Sequence, residues 1–363
     1  MPSKLLLLVN SLAFDGIGRA LLLFLSTIDF EHTEVHIGYF DKREGISKYL
    51  PSAVHVHRIS GIDFECPSPS VSSIINYIRN KSWKRATRQL LLWFQCKLNG
   101  CSLPHYRYIF RDVDRLDMSF DEAHAFHGPM QKIDYYVCEK VNARKKYGWI
   151  HVDVSKMLID DALIRRIYHN YDKIFVVSKA GKLVFDNKFP EFRKVTQIYY
   201  HSVNKSNIQQ SSAYGQTFSD DFPGARILTV GRIAREKGQR EAIQALSELV
   251  NKGYQVKWYF VGEGDDQSSC VKLAESLGLD KYVCFLDFHA NPYGFMRDCD
   301  IYVQPSHHEG FCLSLAEALS FDTPIVTTSF LGAKEQLLGR DNAVIVGDGC
   351  DSLSHGIMKF LTH

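Results

Sequence analysis

The chain has 363 residues, 45% of them hydrophobic and 23% charged, which excludes a disordered or fibrous protein. A single hydrophobic core stops growing near ~250–300 residues, so two domains are expected. The net charge of +2 conceals an asymmetry, because residues 1–200 carry a net +8 and the remainder a net −6. The two halves are therefore expected to face different partners.

In chain order, the first apolar run, Leu5–Val9, resembles a signal peptide superficially. It breaks at Asn10-Ser11 without a clear cleavage site, and we read it as a buried first strand. Further strands are expected at Glu34–Tyr39, Ala53–Arg58, Glu122–Phe126, Tyr147–His151 and Lys173–Val177. The second half adds Arg226–Val230, Val256–Val261, Val283–Leu286, Ile301–Gln304, Pro324–Thr327 and Ala343–Val346. Short apolar runs alternating with helical stretches indicate βαβ units and parallel sheets. The expected organisation is a first domain over 1–200, a polar linker over 201–224, a second domain over 225–347 and a tail or helix over 348–363. Two doubly wound α/β domains facing one another across a cleft would bind ligands at the carboxyl ends of their strands. No apolar run approaches the about 20 residues that span a bilayer. Nine cysteines without a C-x-x-C pair suit reduced thiols in a cytoplasmic protein.

The acidic half carries the sharpest motifs. Thr229-Val-Gly-Arg-Ile-Ala-Arg-Glu-Lys-Gly238 leaves a strand through Gly231 and presents Arg232 and Lys237, two cations five apart that suit a diphosphate. A solvated basic loop accounts for the spacing equally well. Val261-Gly-Glu-Gly264 places Gly262 and Gly264 at a strand exit, without completing a dinucleotide fingerprint. Gln304-Pro-Ser-His-His-Glu-Gly-Phe-Cys-Leu-Ser-Leu-Ala-Glu317 reads as strand, loop and helix. The helix is expected to begin near Phe311, with Glu309 just ahead of it and Glu317 about two turns in. The amides of Gly310, Phe311, Cys312 and Leu313 would then form an anion seat. A carboxylate beside it can accept hydrogen bonds from sugar hydroxyls.

Residues 226–346 resemble the donor-binding domain of the GT4 family of retaining glycosyltransferases, which have the GT-B fold. The marks are G-R-x-x-x-E-K-G at 231–238, V-G-x-G at 261–264, N-P-Y at 291–293, and P-S-x-x-E-G-F with the Glu309/Glu317 pair. The resemblance implies that Arg232 and Lys237 bind the diphosphate, Glu309 the sugar hydroxyls and Glu317 the ribose. It also puts Leu286 to Phe288 near the base. Cys312 and Ser314 depart from the family's usual Gly and Pro. The resemblance further implies a metal-independent hexosyl transfer from a UDP- or GDP-sugar to a lipid-linked or growing surface polysaccharide, as in bacterial enzymes of this family.

In the basic half, Gly16, Gly18 and Arg19 form a G-x-G-R that is either a structural turn or, by the resemblance, the glycine-rich loop of the first domain. Gly16 is assigned to the donor, and Gly18 and Arg19 to the acceptor side. His151 matches the family's histidine at the reacting sugar, while His127 and Asp153 are placed with the acceptor. Asp112/Asp114 and Asp298/Asp300 look like metal-binding D-x-D pairs, but no metal is expected at either. Residues 79–97 hold six cations, no acid and several aromatic residues. They suit an anionic membrane surface or the basic edge of a core helix, with nucleic acid disfavoured. A sugar-nucleotide epimerase and a silent nucleotide-sugar scaffold are the alternative readings, and a dehydrogenase is the weakest.

Overall fold

A computed structural model describes residues 2–62, 66, 68–113, 115–129 and 131–361. The chain divides into two compact units, one of residues 1–177 and 181–199, the other of residues 178–180 and 200–363.

The first unit is a seven-stranded parallel sheet. Its strands are β1 (Ser3–Val9), β2 (Thr33–Tyr39), β3 (Val54–Arg58), β4 (Ser119–Ala125), β5 (Asn142–Ile150), β6 (Lys173–Val176) and β7 (Thr196–Ile198), in the order β3-β2-β1-β4-β5-β6-β7. The run Leu5–Val9 lies between β2 and β4, with Leu6 to Val9 fully buried. A strand covered on both faces has no polar side to show, which explains its unbroken apolar sequence. The helices are α1 (Gly16–Leu25), α2 (Val71–Arg79), α3 (Trp83–Asn99), α4 (Leu103–Ile109), α5 (Gln131–Glu139), α6 (Asp161–Tyr168) and α7 (Lys179–Lys188). Chain order reverses between β1 and β4, so the loops leaving those strands emerge side by side.

The second unit is a six-stranded parallel sheet of β8 (Ala225–Val230), β9 (Val256–Val261), β10 (Val283–Phe285), β11 (Ile301–Gln304), β12 (Ile325–Thr328) and β13 (Ala343–Val346), ordered β10-β9-β8-β11-β12-β13. Its helices are α8 (Lys205–Ser212), α9 (Gln239–Asn251), α10 (Gln267–Ser276), α11 (Tyr293–Asp298), α12 (Leu313–Ala318), α13 (Ala333–Gln336) and α14 (Cys350–Met358). The helix α9 buries Ala242, Ile243, Leu246 and Leu249 as a stripe against the sheet. The reversal falls between β8 and β11, so the Gly231–Gly238 and Pro305–Cys312 loops leave adjacent strands at the same end.

Four expectations are corrected. The stretch 201–224 is not simply a linker: it contains α8, whose Ile208 enters the core of the second unit. Near its end Asp220 is pinned by Lys257 at 2.7 Å and by the Tyr259 hydroxyl at 2.8 Å. The strand expected to reach His151 stops at Ile150, and the one expected to reach Phe126 stops at Ala125. The helix expected from Phe311 starts at Leu313, with Cys312 at its N-cap, so Glu317 sits one turn in rather than two. No expectation covers β7, whose three residues leave no pattern long enough to read.

Candidate functional site

The loops after β8, β9, β10 and β11 are sewn together by backbone. The Gly231 amide donates to Val261 at 3.0 Å, the Ile233 amide to Glu263 at 2.9 Å and the Gly262 amide to Asp287 at 2.7 Å. The His307 amide reaches across to the Glu236 carbonyl at 2.9 Å. This closeness needs glycine. A Cβ on Gly238 would stand 2.0 Å from the Pro305 carbonyl oxygen, and on Gly262 2.0 Å from that of Gly231. Both also hold positive φ, at 73° and 143°.

This scaffold brings Lys237 onto Glu309, Nζ to Oε1 at 2.5 Å, with 22% and 12% of the side chains exposed. Burial pulls the Lys237 ammonium down, but the Glu309 charge more than offsets it and the pKa rises. Glu309 is aimed from beneath, since Ser306 Oγ donates to the same Oε1 at 2.9 Å and Gln304 donates to Ser306 at 2.8 Å. The Tyr302 hydroxyl and Ser314 Oγ both donate to Gln304 Oε1. Arg232 is exposed and paired with Glu236 one turn along. Burial raises the Glu236 carboxyl, yet backbone and Arg232 contacts hold it below the ordinary value.

Among the described residues, none accepts a hydrogen bond from the amides of Gly310, Phe311 or Cys312. These amides sit beside Lys237, and together they make a cationic, donor-rich seat at a topological switch point, where open α/β sheets bind ligands. The α12 helix, at six residues, adds only a small dipole, so side-chain charge and loop amides carry this seat. Burial, reinforced by Glu309, raises the Cys312 thiol to about 12, leaving it neutral and unreactive. Glu317 is 2% exposed and accepts from the Tyr293 hydroxyl at 3.3 Å, so it is more enclosed than a solvated helix carboxylate. Leu286 is half-buried and Phe288 exposed beyond β10, with the Phe288 amide donating to Glu263 at 3.3 Å.

In the first unit, Asp15 caps α1, its Oδ1 accepting from the Ile17 and Gly18 amides at 3.0 Å each. The Gly18 amide is thus already satisfied by a carboxylate. Gly18 itself is required by packing, because a Cβ would lie 2.2 Å from the Ala13 carbonyl oxygen. That corrects its assignment as an acceptor-side amide. Gly16 is exposed and uncrowded, and the Arg19 guanidinium lies 5.7 Å from the Phe14 ring centre. His127, in the turn after β4, is lowered to about 4, mainly by burial; Asp15 opposes the shift while Lys132 and Arg43 reinforce it. It is therefore a neutral imidazole at physiological pH. The His151 ring stacks on Trp149 at 5.4 Å. Asp153 Oδ1 accepts from the Ser155 amide and hydroxyl. His124 is a packing residue, buried and accepting from Trp149 Nε1 at 3.0 Å.

Of the two D-x-D pairs, Asp298 accepts from Thr217 at 2.7 Å and Asp300 from the Arg226 amide at 2.7 Å, both structural uses. Asp114 lies outside the described residues. Sequence reasoning missed Gln304, Ser306 and Glu236. A polar residue ending an otherwise apolar strand, as Gln304 does, was the available signal.

The class that these two sheets define is the GT-B fold. The chain superposes on Anabaena HepE, solved in complex with UDP and glucose, with a TM-score of 0.68 at 15% identity, covering 98% of this chain and 89% of that one. More particularly, residues 223–363 match the family described as glycosyl transferases group 1. The Campylobacter jejuni N-acetylgalactosamine-N,N'-diacetylbacillosaminyl-diphospho-undecaprenol 4-alpha-N-acetylgalactosaminyltransferase is 28% identical over 206 residues, 56% of this chain and 54% of that one. The capsular polysaccharide biosynthesis glycosyltransferase CapM of Staphylococcus aureus is 29% identical over 154 residues, 42% of this chain and 40% of its own. The chain thus matches about half the length or less of these curated relatives.

Proposed function

We propose that the chain is a retaining glycosyltransferase that moves a hexosyl group from a UDP- or GDP-sugar to a hydroxyl of a lipid-linked or growing surface glycan. It would do so without a metal ion, at the inner face of the cytoplasmic membrane. The observation that carries this reading is the Lys237–Glu309 pair beside unpaired loop amides at the switch point of the second unit. The likeness to relatives named for capsule and lipid-linked glycan synthesis points the same way.

In this reading Lys237, Arg232 and the amides of Gly310 to Leu313 hold the diphosphate. Glu309 then turns to the sugar hydroxyls, Glu317 serves the ribose, and Gly231, Gly262, Leu286 and Phe288 border the nucleotide. The bond from C1 to the β-phosphate oxygen breaks, and its electron pair stays on that oxygen. The acceptor oxygen bonds to C1 on the same face and gives its proton to the departing phosphate. The cations answer the charge that grows on the leaving oxygen, which is worth ~3–4 kcal/mol per donor. Neutral Cys312 is no covalent nucleophile, in keeping with same-face return. Gly16 is assigned to the donor, His151 to the reacting carbon, and Arg19, His127 and Asp153 to the acceptor.

Incubation with a nucleotide sugar and a polyprenyl-diphosphate-linked glycan, read by NMR, tests this. Transfer with the donor's anomeric configuration kept is expected. An altered donor sugar without acceptor indicates an epimerase, and binding without turnover a scaffold; either rejects the proposal.

A further inference from the structure

From residue 66 to residue 111 the sequence holds eight cations and no acid. That stretch folds as α2, α3 and α4, with α3 packed against both of its neighbours. In α3 the buried residues Ala86, Gln89 and Leu92 share one face. Trp83, Leu90, Leu91, Phe94 and Leu98 share the opposite one and are 52–72% exposed. At about 100° per residue these five cover roughly a 100° sector, so they form one stripe and not scattered surface positions. Lys84 and Arg88 flank it on one side and Lys97 on the other, all exposed. The helix α2 adds exposed Val71, Ile75 and Ile78. A core helix with a basic edge would bury its aromatic side, and this one does the reverse.

We infer that the α2–α3 hairpin is a docking surface for an anionic lipid bilayer, with the Trp83–Leu98 stripe entering the interface and the flanking cations meeting headgroups. Among the described residues no helix is long and apolar enough to cross a membrane, so the contact is of the kind that lies on a surface. Charge decides between occupants. A second copy docking by the same face would set Lys84, Arg88 and Lys97 against the same cations, whereas an anionic surface attracts them. Nucleic acid would satisfy the charge but leaves a wide aliphatic stripe of Leu90, Leu91 and Leu98 without use. The inference rests on the membrane location given in the proposed function and gives it a surface, but it does not depend on the transfer chemistry.

Sedimentation of the full chain with vesicles tests it without any sugar donor, so its failure and the failure of the transfer reading are separable. Binding to phosphatidylglycerol-containing vesicles, weak binding to pure phosphatidylcholine, and loss at high salt are expected. Leu91→Gln with Phe94→Gln should reduce binding by more than tenfold, as should Lys84→Gln with Arg88→Gln. Trp83 fluorescence should shift to the blue with vesicles, a change absent from Trp83→Phe. Equal binding by wild type and both double variants overturns the inference. So does retardation of nucleic acid without vesicle binding, or a wild-type dimer that Leu91→Gln dissociates.

Discussion

Lys237 and Glu309 are each other's counter-ion, and each is the group the other would release to a ligand. Replacing Lys237 by Ala leaves a largely buried carboxylate without its cation and, on the proposed function, removes a donor to the departing diphosphate. Turnover should fall about 10²–10³-fold, while the melting temperature drops only modestly because Ser306 still holds Glu309. Steady-state kinetics beside a thermal melt separates the two effects, and undiminished turnover rejects the phosphate role. A different residue adds a pH response that a single substitution isolates. Asp134 is fully buried, and burial raises its carboxyl to about 7, against the pull of the Tyr171 and Tyr168 hydroxyls. The folded chain keeps a proton that the unfolded chain releases near 4. Stability from this group is therefore complete below about pH 4 and is lost as pH rises through 7. Asp134→Asn should gain about 2–4 kcal/mol relative to wild type between pH 4 and pH 8, measured by denaturant melts; parallel profiles would contradict this. Lys237 and Glu309 were legible because their spacing is fixed by two short loops on adjacent strands. The Asp15 cap on Gly18 was not, since a carboxylate that takes an amide beside it looks, in sequence, like any loop acid.

At the scale of elements, the site depends on the β8 and β11 loops touching at Gly238 and Pro305. Gly238→Ala places a methyl group 2.0 Å from a backbone oxygen and puts a non-glycine residue at φ 73°. The strain alone costs about 1–2 kcal/mol, and the forced separation of the loops should pull Lys237 from Glu309. A lower melting temperature together with weaker nucleotide binding is the expected result; native affinity would show that the loop contact is dispensable. Buried parallel strands such as β1 announce themselves as unbroken apolar runs, and each expected strand overlaps an observed one. β7 is too short to show a pattern, and α8 is a polar helix with one core-facing isoleucine, so composition suggested a linker. The expected start of α12 falls two residues early because the good helix formers from Leu313 onward give no sharp boundary, and Cys312 stands at the N-cap with extended backbone.

At the scale of the whole molecule, the asymmetry of charge divides the work. The basic unit holds the α2–α3 surface, and the acidic unit contains, among the described residues, a cluster where cations and unpaired amides converge among carboxylates. A nucleotide sugar bound there at 100 times its Kd should stabilise the folded chain by ~2.7 kcal/mol. Calorimetric titration of UDP- and GDP-sugars into wild type, Lys237→Ala and Glu309→Gln is the most direct measurement. The account predicts that wild type binds one of these donors, that Lys237→Ala weakens both the nucleotide sugar and the free nucleoside diphosphate at least tenfold, and that Glu309→Gln weakens only the sugar-bearing ligand. Equal affinities across the three proteins would place the donor elsewhere and contradict it.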